Sequence, residues 1–191
     1  MCKVLSYVHK VGESKQFMSS QNYVSVFTVD RSPKEAFDAI NNVRGWWSGN
    51  IEGNTNKLGE EWTYRYKDIH YSKQKITEFV PEKKVVWTVL DSYLNFVKDK
   101  TEWNGTKITF DIGKNNGKTE VRFTHLGLVP AYECYDDCSN AWGFYMGSLK
   151  NLITKGKGAP NKVEKAKTAS TKKKAKSTSK KKSKTAPKKK K

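Results

Sequence analysis

The sequence predicts an α+β domain in which a curved antiparallel sheet closes over one long C-terminal helix, with two short helices after the first strand. Three observations carry this. Between Leu58 and His125 apolar and polar residues mostly alternate, the period of strands. From Pro130 to Thr154 the period changes to 3.6. Asn115-Asn116-Gly117 lies between two cleanly alternating runs, a strong hairpin signal.

In chain order, Asn22 to Asp30 (NYVSVFTVD) is β-branched and aromatic and predicts the first strand. Ser32-Pro33-Lys34-Glu35 then supplies an N-cap, a proline at the first helical position and the glutamate of a capping box. Ala36, Phe37 and Ile40 give that short helix its buried side. Val43 to Ser48 (VRGWWS) predicts a second short helix or tight turn. Trp62, Tyr64 and Tyr66 share one face of a strand, opposite Glu61, Thr63 and Arg65. A further strand runs from about His70 to Val80 and turns at Pro81-Glu82-Lys83. Lys84 to Asp91 (KVVWTVLD) is apolar on both faces, as a central strand requires. Ser92 to Glu102 is read as a further strand with an irregular edge, and Asn104-Gly105 as a turn or bulge. Thr106 to Ile112 and Lys118 to His125 form the hairpin around Asn116-Gly117.

The last stretch places Tyr135, Cys138, Trp142, Tyr145, Leu149 and Leu152 on one stripe of a helix, widened by Met146 and Ile153. Asp136, Asn140, Lys150 and Asn151 fall opposite. Pro130 is expected in the first turn, Glu133, Asp136 and Asp137 complement the positive end of the dipole, and Gly156 stops the helix. Its expected length is about 24 residues, roughly 36 Å.

Charge divides the chain sharply. Of a net +18, the segment from Lys155 holds 17 lysines and one acid (Glu164), a net +16. The preceding 154 residues, with 20 basic and 18 acidic side chains, are close to neutral at +2. The expected organisation is therefore an undefined N-terminal extension over 1–21, a folded domain over 22–154 and a disordered lysine-rich tail over 155–191. Three cysteines give no even disulfide framework, no apolar run approaches a bilayer span, and Met1 to Gln21 lacks a signal-peptide pattern. A reduced, cytoplasmic protein is expected.

The element order and several local phrases resemble the START-like (SRPBCC) superfamily, in the branch similar to heat-shock-chaperone ATPase activator homologues. The phrases are Ser32 to Phe37 (SPKEAF), Trp46-Trp47-Ser48, Lys84 to Trp87 (KVVW), Glu102 to Thr106 (EWNGT) and Phe123 to Leu128 (FTHLGL). The resemblance covers roughly Val24 to Pro160. It implies a helix-grip fold with a cavity between sheet and long helix. It implies no particular ligand, because relatives include lipid carriers, hormone receptors, cyclases and chaperone activators.

Six tryptophans, Trp46, Trp47, Trp62, Trp87, Trp103 and Trp142, join Tyr64, Tyr66, Phe110, Phe123 and Tyr145 as candidates to line an apolar pocket. The alternative is that they fill a solid core. His125, in phase with Val121 and Phe123, points inward, either as a polar anchor or proton-transfer group or as a buried histidine satisfied by a backbone carbonyl. His70 is expected at the surface beside Asp68. Cys134 and Cys138 lie four apart on the apolar side of the long helix, in spacing unsuited to zinc or to a disulfide, and are expected as buried thiols. No catalytic constellation, phosphate-cradling loop, metal cluster or cofactor motif is present in the pattern.

Three functions follow as expectations. The first is a non-enzymatic binding domain for a small apolar ligand, the second a co-chaperone-like module, and the third a small cyclase-like enzyme using the pocket. The tail, with lysine clusters at Lys172, Lys173, Lys174, Lys180, Lys181, Lys182, Lys188, Lys189, Lys190 and Lys191, is expected to bind nucleic acid or another polyanion without reading sequence.

Overall fold

The computed structural model describes residues 21–160. The 1–20 extension and 161–191, with every clustered tail lysine named above, lie outside the described residues. The element order is β1 (Tyr23–Val29), α1 (Pro33–Asn41), a one-turn 3-10 helix (Val43–Gly45), β2 (Asn50–Gly53), β3 (Glu61–Tyr66), β4 (His70–Val80), β5 (Lys84–Leu94), β6 (Lys107–Asn115), β7 (Lys118–Leu126) and α2 (Tyr135–Lys155). All seven strands join one antiparallel sheet in the order β1-β7-β6-β5-β4-β3-β2. β5 is thus the middle strand, which is why its sequence is apolar on both faces.

Local chemistry explains the short elements. Ser32 Oγ accepts from the Glu35 N–H and the Glu35 carboxylate accepts from the Ser32 N–H, closing the capping box ahead of Pro33. Asn115 pairs with Lys118, and the two residues between them, Asn116 (φ 49°) and Gly117 (φ 79°), make a tight turn with both φ positive. Two bulges on the β4–β5 pair, at Leu90 and Thr77, add one residue each to one strand and bend the sheet. The concave face carries Trp62, Ile76, Trp87, Ile108, Phe110, Val121 and Phe123, all buried. α2 lies across it, and α1 packs beside α2 and β6. Trp142, at the centre of the α2 stripe, sits 4.6 Å from the Phe123 ring and 4.9 Å from Trp47.

The backbone departs from the sequence expectations in four places. α2 begins at Tyr135, with Pro130 to Cys134 forming turns before it, so the helix has 21 residues. The reason lies in the β5–β6 loop. The buried Glu102 carboxylate accepts from the N–H groups of Glu133 (2.7 Å) and Cys134 (2.9 Å), and Glu133 accepts from the Lys98 N–H (2.8 Å). Backbone from 130 to 134 is therefore tied to the loop rather than wound into the helix. Second, Ser92 to Glu102 is not a strand of its own: β5 continues to Leu94, and turns follow to Gly105. Third, β2 was not foreseen, being a four-residue edge strand, NIEG, with no alternating pattern. Fourth, Lys155 is the last helical residue and the backbone continues in place through Pro160. The Ala159 N–H donates to Ser148 Oγ (2.7 Å), Ser148 Oγ donates to the Trp46 carbonyl (2.8 Å), and Gly158 packs so close to the Gly45 carbonyl that no side chain fits.

Candidate functional site

Not all of the concave face is filled. Beyond the tryptophan core, toward the β3–β4 turn, a cavity of about 330 Å³ opens between the sheet and the first turns of α2. Trp47, Tyr64, Trp103, Trp142 and Tyr145 wall it, with Tyr66 and His70 completing the sheet side. Ile69 and Phe96, each 40% exposed, flank the mouth with Asp137 and Ala141 of α2.

Each wall is set by a local device. Tyr64 and Tyr66 project inward from β3 by strand parity. Trp47 is carried in by the turn after the 3-10 helix and stacks on Tyr64 at 4.6 Å and 18°. The β5–β6 loop brings Phe96 and Trp103, and it is pinned at both ends. Asn95 bonds the Ile69 and Asp68 carbonyls (2.9 and 2.7 Å), while Glu102 bonds the start of α2. The cavity mouth is therefore framed by hydrogen-bonded backbone.

Of the residues expected to line a pocket, Trp47, Tyr64, Tyr66, Trp103, Trp142 and Tyr145 do line this cavity. Trp46, Trp62, Trp87, Phe110 and Phe123 form the solid aromatic core behind it, where Trp87 lies 5.0 Å from both Trp62 and Phe110. His125 is also interior, fully buried and away from the cavity. Its partners are side chains rather than the backbone carbonyl of the common case. Trp142 Nε1–H donates to Nδ1 (3.0 Å), which leaves the proton on Nε2 to donate to Thr106 Oγ1 (2.9 Å); Thr106 donates in turn to the Trp103 carbonyl (2.6 Å). Burial, with a smaller contribution from His70, holds the His125 imidazole down at about 3. His125 is thus a neutral packing hinge between β7 and α2.

His70 is the main correction. Expected at the surface, it lies inside, its ring edge-on to Tyr64 (5.0 Å) and Trp103 (4.5 Å). Burial holds its imidazole at about 3, and its enclosed Nε2 has no hydrogen-bond partner. The available signal was parity: His70 is in phase with Ser72, Gln74 and Ile76, all buried. Ile69, Phe96, Asp137, Cys138 and Ala141 were also missed as lining residues, since a turn, a loop and a helix start meet there only in three dimensions. Cys134 and Cys138 are buried free thiols. Their mutual hydrogen bond and then burial push the Cys134 thiol well up, which disfavours its thiolate form. Among the described residues no group of three or more His, Cys, Asp and Glu is placed to hold a metal ion, and no helix is long and apolar enough to cross a membrane.

A seven-stranded sheet gripping a C-terminal helix, with a cavity under its loop end, invites comparison with known families. The family model for Activator of Hsp90 ATPase homolog 1-like protein matches residues 32–154, well over half of the chain. The chain belongs to that family. The solution structure of the Aha1 dimer from Colwellia psychrerythraea is 26% identical, with a TM-score of 0.59, over 72% of this chain and 99% of that one. Protein MLL2253 from Mesorhizobium loti (14% identity, TM-score 0.56, 70% of this chain and 96% of that one) and SSP2350 from Staphylococcus saprophyticus (16%, 0.51, 73% and 96%) share the fold. No curated protein matches the chain. The family match covers β2 to β7, the loop over 95–105 and α2 up to Thr154, and hence every cavity wall.

Proposed function

We propose that this chain is a non-enzymatic binding domain for a small hydrophobic ligand. The observation that carries the reading is the cavity of about 330 Å³, walled by three tryptophans and three tyrosines. A cavity of that size, mainly apolar with few polar groups, is the usual form of a small-molecule site. The ligand would enter between Ile69, Phe96 and Ala141. The test is titration of the full chain with an environment-sensitive apolar fluorophore, beside Ala141→Trp, which places an indole across the mouth from an exposed helical position. One-site saturation by the wild type, lost in Ala141→Trp at an unchanged melting temperature, is expected. Equal binding by both proteins, or binding only on partial unfolding, overturns it.

Membership of the activator family supports a second reading, a module that engages a chaperone ATPase. Its measure is stimulation of a chaperone's ATP hydrolysis by the purified full chain, and no stimulation at stoichiometric excess defeats it. The lysine-rich segment adds a third element. Seventeen lysines spaced by Ala, Ser and Thr supply a polycation for nucleic acid or another polyanion.

A further inference from the structure

We propose that the Trp47 N–H, with the Tyr145 hydroxyl as a second donor, is the polar anchor of the cavity, and that the ligand class is a neutral, flat hydrophobe carrying a carbonyl. This rests on the binding reading above and narrows it to a chemistry.

The six tryptophans differ at their N–H groups. Those of Trp46 and Trp142 are donated, to the Ile40 carbonyl (3.2 Å) and to His125 (3.0 Å). Those of Trp62, Trp87 and Trp103 are enclosed by protein without a hydrogen-bond partner. The Trp47 N–H is in neither group. Its side chain lines the cavity, and the N–H is not enclosed and makes no hydrogen bond to protein among the described residues. An indole N–H only donates, so inside the cavity it is completed by an acceptor and by nothing else. The tyrosines add hydroxyls to the same walls. The Tyr64 hydroxyl donates toward that of Tyr145, which leaves the Tyr145 proton for a ligand and strengthens it as a donor. The Tyr145 and Trp47 rings lie 6.1 Å apart. The Tyr66 hydroxyl, on a half-buried ring, can donate or accept. His70 adds nothing at Nε2, which is enclosed.

A carbonyl oxygen answers this set of donors, because it accepts two hydrogen bonds and brings no proton of its own. An alcohol also accepts, but it adds a proton that costs free energy if it is buried without an acceptor. Charge narrows the ligand further. No lysine or arginine lines the cavity, and the carboxylate at its exposed mouth is that of Asp137. An anionic ligand would be buried without a counter-charge and past a like charge, so anions are disfavoured. The Tyr64 phenol meets the same resistance, since burial first and the Tyr145 hydroxyl after it push its pKa well up. Trp47 and Tyr64, stacked at 4.6 Å, favour a flat, fused-ring body, and two fused rings fit within about 330 Å³.

The test compares 1-tetralone, 1-tetralol, tetralin and tetralin-1-carboxylate on the full chain at neutral pH, by tryptophan-fluorescence titration and by the indole N–H resonances. Wild type should bind 1-tetralone about tenfold more tightly than tetralin, with 1-tetralol between them and the carboxylate weakest. The ketone should move the Trp47 indole N–H resonance downfield, and tetralin should not. Trp47→Phe keeps a ring against Tyr64 and should bring the tetralone-to-tetralin ratio close to one. Tyr145→Phe, which removes only a hydroxyl, should lower that ratio part of the way. The wild-type comparison stands even if either variant misfolds. Equal binding of tetralone and tetralin, both blocked by Ala141→Trp, overturns the Trp47 anchor and leaves the cavity reading intact. Tetralone binding that leaves the Trp47 resonance in place overturns it too, as does tighter binding of the alcohol or the carboxylate. Binding of none of the four at a site that Ala141→Trp blocks overturns the cavity reading itself.

Discussion

Two interior imidazoles, His125 fully buried and His70 half-buried, make the molecule sensitive to acid. His70 and His125 both have ring pKa values held from the ordinary 6.5 down to about 3 by burial. Above 6.5 both are neutral whether the chain is folded or not, and the full stability is present. Between 6.5 and about 3 the unfolded chain binds protons that the folded chain refuses, so stability falls with pH. Each imidazole contributes a slope of about 1.4 kcal/mol per pH unit. Urea unfolding at pH 7.5 and pH 5.0 should show this loss, and His70→Phe should reduce the slope by about one proton's worth. An unchanged slope in that variant would mean the ring protonates freely in the folded state. The neighbours make the neutral form easy to hold: Trp142 and Thr106 complete the hydrogen bonding of His125, and among the described residues no carboxylate bonds to it.

At the scale of elements, α2 is held by its stripe and by an acceptor supplied from outside. Cys134, at the N-cap, offers no side-chain hydrogen bond, and Glu102 from the β5–β6 loop accepts the N–H groups of Glu133 and Cys134 instead. Glu102→Ala leaves the buried Cys134 N–H and the part-buried Glu133 N–H unpaired and should cost about 1–3 kcal/mol in chemical denaturation. Glu102→Gln keeps an acceptor oxygen and should cost less. Because the same loop carries Phe96 and Trp103, the alanine variant should also weaken ligand binding more than its stability loss alone implies. Trp142→Ala removes the centre of the stripe and the donor to His125 Nδ1, and should cost about 3–5 kcal/mol. A loss under about 1 kcal/mol would mean the helix does not rely on that ring for its packing.

For the whole molecule, the packed backbone runs a few residues past the end of α2. Residues 156–160 run back over α2, where the Ala159 N–H bonds Ser148 and Gly158 lies on the Gly45 carbonyl beside Trp46. A chain ending at Pro160 should melt with the full-length protein, whereas one ending at Lys155 should lose about 1 kcal/mol with those contacts. Calorimetry of the two truncations decides it. The Pro160 form also tests the polyanion reading, because it lacks 15 of the 17 lysines counted from Lys155. On duplex DNA the full chain should show log K falling against log salt with a slope near −0.9 per phosphate neutralised. The Pro160 form should show no such binding. Equal affinity in both would place the contact in the near-neutral domain.

Period, punctuation and parity were enough to determine most of the elements, though not β2, the loop after β5 or the start of α2. Strand alternation, the Ser32–Glu35 capping box, the Asn116-Gly117 turn, the α2 stripe and its Gly156 stop are local, so their signals lie within a few residues of one another. Burial of His125 was legible for the same reason, by its phase with Val121 and Phe123. Tertiary structure alone decided which aromatic rings fill the core and which face an open space. Trp62 and Tyr64 are equivalent in strand parity, yet Trp62 packs on Trp87 and Tyr64 lines the cavity. The difference lies along β3: Trp62 pairs with Gln74, while Tyr64 stands two residues nearer the β3–β4 turn, opposite Ser72, where the cavity opens. The late start of α2 and the inward place of His70 likewise depend on a loop, a turn and a helix end meeting. Such meetings join residues tens of positions apart, as Glu102 with Cys134 and His70 with Trp103, and no local period encodes a contact of that separation.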